Sequence, residues 1–313
     1  MKTLTVSDFA LSFGVDKNTF SNSCRQLILD TNFCYRYIKG KELESLLMRI
    51  ITRIDEDQQV IGALDRKEVW EKGWQENLDE FNKSNFDEKM LVPKFIRSNN
   101  PIRYNQRYIF PEHPEFELNY VRVFRKWYLE HYFAKVENIY EFGCGTGFNL
   151  LAAAELFPKK KFFGSDFVQS SINLLNTIGK SKKISLSGAL FDMINPNYDY
   201  HIQDNSGIFT FGSLEQLASK TDNMLNYLIT QKPEICVHTE PALELYDPTN
   251  LSDYLAIKFQ GKRGYTTGLI PKLKKLESEG KIELLKVKRL YVGSLYMEGY
   301  NLIVWKPLKK NGT

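Results

Sequence analysis

Apolar positions along this chain of 313 residues fall into two rhythms. Up to about residue 92 they recur at helical spacing: Leu43, Leu46, Leu47, Ile50, Ile51 and Ile54 share one stripe, and residues 53–88 mix both charges without an apolar run of strand type. From residue 138 short apolar runs alternate with helical stretches, the pattern of a parallel sheet covered on both faces. These runs predict strands at 139–142, 161–165, 184–191, 207–211, 234–237, 282–291 and 300–305. Residues 292–299 alone separate the last two, too few for a helical crossover, so these form an antiparallel hairpin. The prediction is an α/β chain: a mixed seven-stranded sheet ending in that hairpin, preceded by a mostly helical region.

Three segments follow. Residues 1–92 read as a helical accessory or lid domain, 93–135 as a basic, aromatic connector and 136–313 as the sheet domain. The connector carries Lys94, Arg97, Arg103 and Arg107 with no acid among them and with Tyr104 and Tyr108 interleaved, while Pro93, Pro101, Pro111 and Pro114 break it into loops and turns. Residues 116–133 then form an amphipathic helix whose aromatics belong to the core. Residues 309–313 are expected to be disordered. Near the start, Ala10, Gly14, Val15, Thr19 and Ser21 match the spacing of a bacterial helix-turn-helix. The stretch 17–29 that would read DNA offers only Lys17 and Arg25 as cations, which favours a plain helical hairpin.

The first strand ends in Glu141 and Phe142 and gives way to Gly143, Gly145 and Gly147, then to a run rich in Leu and Ala. Glycines let such a turn take positive φ and let a ligand approach the backbone. The helix behind it aims unpaired N–H groups and the positive end of its dipole at the same place. Asp166 ends the second apolar run, where an acid can accept both hydroxyls of a ribose. A nicotinamide site fits poorly, because these glycines run G-x-G-x-G and the dinucleotide pattern is G-x-G-x-x-G.

Glu141-Phe-Gly-Cys-Gly-Thr-Gly147, Gly164-Ser-Asp166 and Leu190-Phe-Asp-Met193, in this order, resemble the three motifs of the class I S-adenosylmethionine-dependent methyltransferases. The resemblance reaches roughly residues 95–307 at the level of fold, with its specific motifs between 141 and 192. It implies a Rossmann-like sheet of seven strands, S-adenosyl-L-methionine as cofactor, and cofactor contacts from Glu141, Gly143, Cys144, Gly145, Gly147, Asp166, Phe167, Phe191, Asp192, Met193 and Phe211. It also implies that the segment before the first motif folds over the pocket. Arg97, Arg103, Tyr104 and Arg107 then become candidates to hold an anionic acceptor, joined by Arg263 and Tyr265 from a glycine-punctuated insertion at 241–280.

Composition changes this picture little. A net charge of +4 is slight and argues against a dedicated nucleic-acid binder. No apolar run is long enough to span a membrane and the amino terminus is polar, so a cytoplasmic chain without a membrane partner is expected, with homo-oligomers left open. Cys24, Cys34, Cys144 and Cys236 match neither a zinc pair nor a disulfide framework. No metal is assigned, since cofactor and backbone roles account for Asp192, Glu215 and Glu240 more simply than Mg²⁺ does.

Ligands of open α/β sheets bind beyond the carboxyl ends of the strands. There the sequence places Glu215 after the fourth strand, and His238 with Glu240 after the fifth. His238 is the candidate general base, with Glu240 or Glu215 to orient it, and Ser213 with Gln216 reads as a capping box. A base matters most when the nucleophile is an alcohol, and neither the Asn/Asp-Pro-Pro-Tyr/Phe nor the Pro-Cys motif of nucleobase enzymes is present. The expected activity is O-methylation of a small polar acceptor, a sugar or phosphorylated metabolite of polysaccharide or natural-product synthesis. RNA or protein methylation, and a cofactor-binding regulator using the helix-turn-helix-like segment, are the alternatives.

Overall fold

The computed structural model describes residues 1–61 and 66–308. Its helices are α1 Val6–Phe13, α2 Asn22–Asp30, α3 Gly40–Glu56, α4 Arg66–Lys83, α5 Phe116–Tyr132, α6 Phe148–Leu156, α7 Gln169–Lys182, α8 Asp222–Gln231, α9 Leu251–Arg263 and α10 Leu269–Ser278. Its strands are β1 Lys2–Thr3, β2 Cys34–Tyr37, β3 Ile102–Tyr104, β4 Arg107–Pro111, β5 Asn138–Phe142, β6 Lys161–Asp166, β7 Leu186–Leu190, β8 Ser206–Phe211, β9 Ile235–Glu240, β10 Ile282–Lys288, β11 Val292–Gly293 and β12 Asn301–Pro307. The expected disorder at 309–313 lies outside the described residues.

Seven strands form the main sheet in the order β10-β12-β9-β8-β5-β6-β7. The five from β9 to β7 are parallel, and β12 runs antiparallel between β9 and β10. The mixed sheet and its carboxy-terminal antiparallel pair are therefore as expected. β5 and β9 are buried at every position, as suits central strands covered on both faces. β9 outruns its predicted end at residue 237, because Ile303, Leu302 and Asn301 of β12 continue the ladder opposite His238, Thr239 and Glu240. The polar triplet hid this extension from the hydrophobic pattern.

A second sheet, β1-β2-β4-β3-β11, was not foreseen. The connector expected to be loop supplies its central hairpin, which turns at Asn105 and Gln106, both with positive φ (49° and 56°). Between β10 and β12 the chain crosses to this sheet, where Val292 and Gly293 pair with Tyr104 and Arg103. One apolar core runs from Leu4, Phe9 and Phe13 through Tyr120 and Trp127 to Val304, so packing continues across the boundary expected at residue 92. In the helix-turn-helix-like stretch, Lys17–Thr19 is a separate 3₁₀ turn and α2 starts at Asn22, capped by Ser21 Oγ, which accepts from the Cys24 N–H at 3.0 Å. α2 turns Cys24 and Ile28 inward and packs on α5.

Candidate active site

The turn between β5 and α6 holds Gly143, Gly145 and Gly147 at φ of 70°, 51° and 74°. A Cβ on Gly143 would stand 2.3 Å from Ser213 Cβ, so no larger residue fits there. At the end of β5, Glu141 is buried; its Oε1 accepts from Asn149 Nδ2 at 2.8 Å and its Oε2 has no partner among the described residues. Burial pushes this carboxyl up to about 8. At the end of β6, Asp166 accepts from the Gly145 N–H at 3.0 Å and from the Phe167 N–H at 2.8 Å, and burial raises it to about 6. Phe167 leaves its ring partly exposed beside it, and Met193 Cε lies 3.3 Å from the position a Cβ would take on Gly143. The structure thus brings Glu141, the three glycines, Asp166, Phe167 and Met193 to one place.

Three expected cofactor contacts face elsewhere. Phe191 is core, with its ring 5.0 Å from those of Phe142 and Tyr227. Cys144 packs inward against Ser171 and Gly164, and burial raises its thiol well above the usual range. Asp192 is exposed and folds its carboxylate onto the Ile194 N–H and Asn195 Nδ2 at 2.8 and 2.9 Å. In all three the backbone follows the motif while the side chain serves the local fold.

α4 lies over the glycine turn. Glu71 accepts from the first N–H groups of α7, those of Gln169 and Ser170, at 2.8 and 2.9 Å, which caps that helix from outside. Trp74 rests against Gly145 and stacks on Trp70, with ring centroids 5.2 Å apart. Thr146 Oγ1 donates to the Leu91 carbonyl at 2.6 Å, fastening the same segment. Two tryptophans four residues apart on an otherwise charged helix are the sequence signal for this cover.

The structure corrects the base assignment. His238 lies inside the sheet, unexposed, where Nε2 accepts from Trp305 Nε1 at 2.8 Å and Nδ1 faces Thr210 Oγ1 at 2.9 Å. Burial holds its pKa near 3, so the ring is neutral and its one proton sits on Nδ1, directed at Thr210. Glu240 accepts from the N–H groups of Ser213, Leu214 and Glu215 at 3.1, 3.1 and 3.2 Å, and from Thr210. It therefore builds the turn after β8. The capping box expected of Ser213 does not form; its hydroxyl donates to the Phe142 carbonyl at 2.8 Å.

Acidic groups remain at the strand ends. Glu215 is buried and raised to about 8, first by burial and then by the charge of Glu240. Glu117, near the start of α5, accepts from Tyr300 Oη at 2.8 Å and is raised by burial to about 7. The Tyr300 ring lies 5.7 Å from Phe211 at the end of β8, and the charge of Glu215 reaches its hydroxyl. An acid at the second position of an aromatic helix gave no sequence signal that separated it from a solvated one.

The expected anion-binding cations are engaged elsewhere or stand outside. Arg103 is unexposed and pairs with Asp253 at 2.8 Å and Glu298 at 3.7 Å, a cluster that Arg289 completes. Arg263 is bound to Asp57 at 2.7 Å and to Tyr265 Oη at 3.2 Å. Tyr104 is core, 5.5 Å from the Tyr35 ring, and exposed Arg107 lies over Tyr37. Arg97 is exposed.

No family model matches this chain, and no curated protein matches it. Solved structures similar to it include PigF with SAH, at 13% identity over 86% of this chain and 71% of the other, with a TM-score of 0.46. Another is a geranyl diphosphate C-methyltransferase from Streptomyces coelicolor A3(2), at 9% identity, 74% and 98% coverage and a TM-score of 0.45. A third is the O-methyltransferase of a trans-AT PKS multienzyme of Brevibacillus brevis, at 11% identity, 61% and 73% coverage and a TM-score of 0.45. Likenesses this loose carry no argument about chemistry. The class I methyltransferase fold that the motifs implied rests on this chain's own strand order, its glycine turn after β5 and its acid at the end of β6. Among the described residues no helix is long and apolar enough to cross a membrane.

Proposed function

We propose that this chain binds S-adenosylmethionine at the glycine turn and transfers its methyl group to a hydroxyl of a small polar acceptor. Glu141 is the observation that supports the cofactor most strongly. A buried carboxyl beside three positive-φ glycines keeps one oxygen without a donor, and such a group is matched by a cationic partner such as an amino group. Glu141 would take the cofactor's amino group, Asp166 its ribose hydroxyls and Phe167 a face of its adenine. The residues fit that ligand, with Trp74 and Met193 closing on the turn from the side.

The bound sulfonium supplies an already activated methyl group. What this chain's residues add is alignment, exclusion of water and removal of one proton. Glu215 and Glu117 have carboxyls raised by burial to about 8 and 7, which suits a base acting near neutral pH, and the Tyr300 hydroxyl held by Glu117 would orient the acceptor. Because Arg103 and Arg263 are tied to acids, a neutral hydroxylated acceptor of sugar type is favoured over a phosphorylated one. Incubation with labelled methyl donor and matched panels of neutral sugars, nucleotide sugars and sugar phosphates tests this. Label is expected in the neutral panel; transfer confined to the sugar phosphates contradicts the acceptor assignment.

A further inference from the structure

A cleft of about 460 Å³ opens on the outer side of α6, between α5, the end of α7 and the 3₁₀ turn Glu88–Leu91. Phe86, Phe148, Leu151 and Ala152 give it apolar walls, and no residue of the glycine turn, nor Asp166, Glu117 or Glu215, lines it. Arg125 also lines it. This guanidinium belongs to a residue only 7% exposed and has no carboxylate within ion-pair distance among the described residues. Nη1 donates to the Phe148 carbonyl at 3.1 Å and to Asn149 Oδ1 at 3.2 Å, the group stacks 4.0 Å from the Phe148 ring centre, and Nη2 and Nε make no hydrogen bond to any described residue.

A buried cation without a direct ion pair is costly, and here burial lowers the pKa to about 10, the charges of Glu141 and Glu155 offsetting only part of it. The acids of the cleft do little to relieve it. Asp87 is taken by the Lys89 N–H, Glu88 by Lys182, and Glu155 is itself raised by burial and by Glu88. Lys89 and Arg122 add further cations to the lining. A planar fork with a free edge is the donor set that grips an oxyanion in two places, and a ring on either wall suits a flat apolar body.

We propose that this cleft binds a small anion with a flat apolar body, its carboxylate or phosphate head on the free edge of Arg125 near Lys89 and Arg122 and its body between Phe86 and Phe148. Arg125 meets the glycine-turn site only through Asn149, which accepts from its Nη1 and donates to Glu141, and the test needs no cofactor. Full-length protein is titrated calorimetrically with benzoate and with phenyl phosphate, using benzyl alcohol as the neutral control and inorganic phosphate as the control without a body. One of the two aryl anions is expected to bind with Kd below about 1 mM, at least about tenfold tighter than either control. Which anion binds tighter identifies the head group. Arg125→Lys should weaken it about tenfold, since an ammonium cannot grip two oxygens at once. Because Arg125 also braces α6, Arg122→Ala and Phe86→Ala, on the walls, provide the second test, each expected to weaken binding by about threefold or more. No binding of either anion up to about 10 mM, equal binding of benzyl alcohol, unchanged binding in both wall variants, or full competition by S-adenosylhomocysteine would overturn the proposal.

Discussion

Trp74 lies against Gly145 so closely that a Cβ on the glycine would meet the indole at 3.0 Å. The glycine also sits at φ 51°, so Gly145→Ala carries a left-handed backbone cost of about 1–2 kcal/mol in addition to displacing the ring. A folded Gly145→Ala protein with lower thermal stability and no measurable cofactor binding is expected. S-adenosylhomocysteine should change the tryptophan emission of the wild type, and Trp74→Phe should lose more than half of that change. An undiminished change in Trp74→Phe would mean that α4 stays clear of the ligand.

His238 and Trp305 form a structural pair. His238→Ala leaves the Trp305 N–H and the Thr210 hydroxyl short of a partner in the sheet, a loss of about 1–3 kcal/mol each in a buried setting. Stability should fall while the shape of the kcat pH profile stays as in the wild type, measured by chemical denaturation and steady-state assay. A vanished ionisation in the profile would restore the histidine as base.

Glu215→Gln should lower kcat by about a hundredfold and remove an ionisation expected near pH 8 in the wild-type profile, with cofactor affinity unchanged. Glu117→Gln should remove one nearer pH 7. Equal kcat in both variants would place the base elsewhere.

Arg103 reads as an acceptor ligand from its basic, acid-free segment and proves to be the buried centre of an ion cluster with Asp253, Glu298 and Arg289. Asp253→Asn removes one partner and leaves charge uncompensated, which costs about 3–5 kcal/mol. The expected result is a large drop in the denaturation midpoint with no selective rise in acceptor KM.

Much of the sheet was legible because parallel strands write themselves as apolar runs, and because Gly143, Gly145 and Gly147 are needed where the turn has positive φ. Asp166 and Glu141 came with that turn. The second sheet was not legible: β1 and β11 are two residues long each, and the β3–β4 hairpin turns on Asn105-Gln106 rather than on a glycine pair. Cations were misread for a related reason. Sequence shows that Arg103 and Arg263 lack nearby acids, yet their partners Asp253 and Asp57 lie far along the chain. The same distance hid Glu117 from Tyr300, and the polar tail of β9 hid His238 inside a strand.

Stability should depend on pH with a maximum in mild acid. Glu117, Glu141, Glu215, Glu240 and Asp166 have folded pKa values raised by burial, so their contribution is full below the ordinary carboxylate range and is lost as pH rises through about 6 to 8. His238, held near 3, acts oppositely: the unfolded chain takes up its proton first, so stability is lost as pH falls from about 6.5 toward 3. Tm is expected to peak near pH 5 and decline toward pH 9, with a shallower decline in Glu215→Gln. A Tm flat from pH 5 to 9 would show that these acids are solvated.

Calorimetric titration with S-adenosylmethionine and S-adenosylhomocysteine decides whether the glycine turn with Glu141 and Asp166 is a cofactor site. Wild type should bind both. Glu141→Gln, which keeps the bond to Asn149 but cannot ionise opposite the cofactor's amino group, should weaken binding at least about tenfold, and Asp166→Ala should weaken it further through two lost charge-assisted hydrogen bonds. Absence of binding by folded wild type, or undiminished affinity in Glu141→Gln and Asp166→Ala, would contradict the assignment.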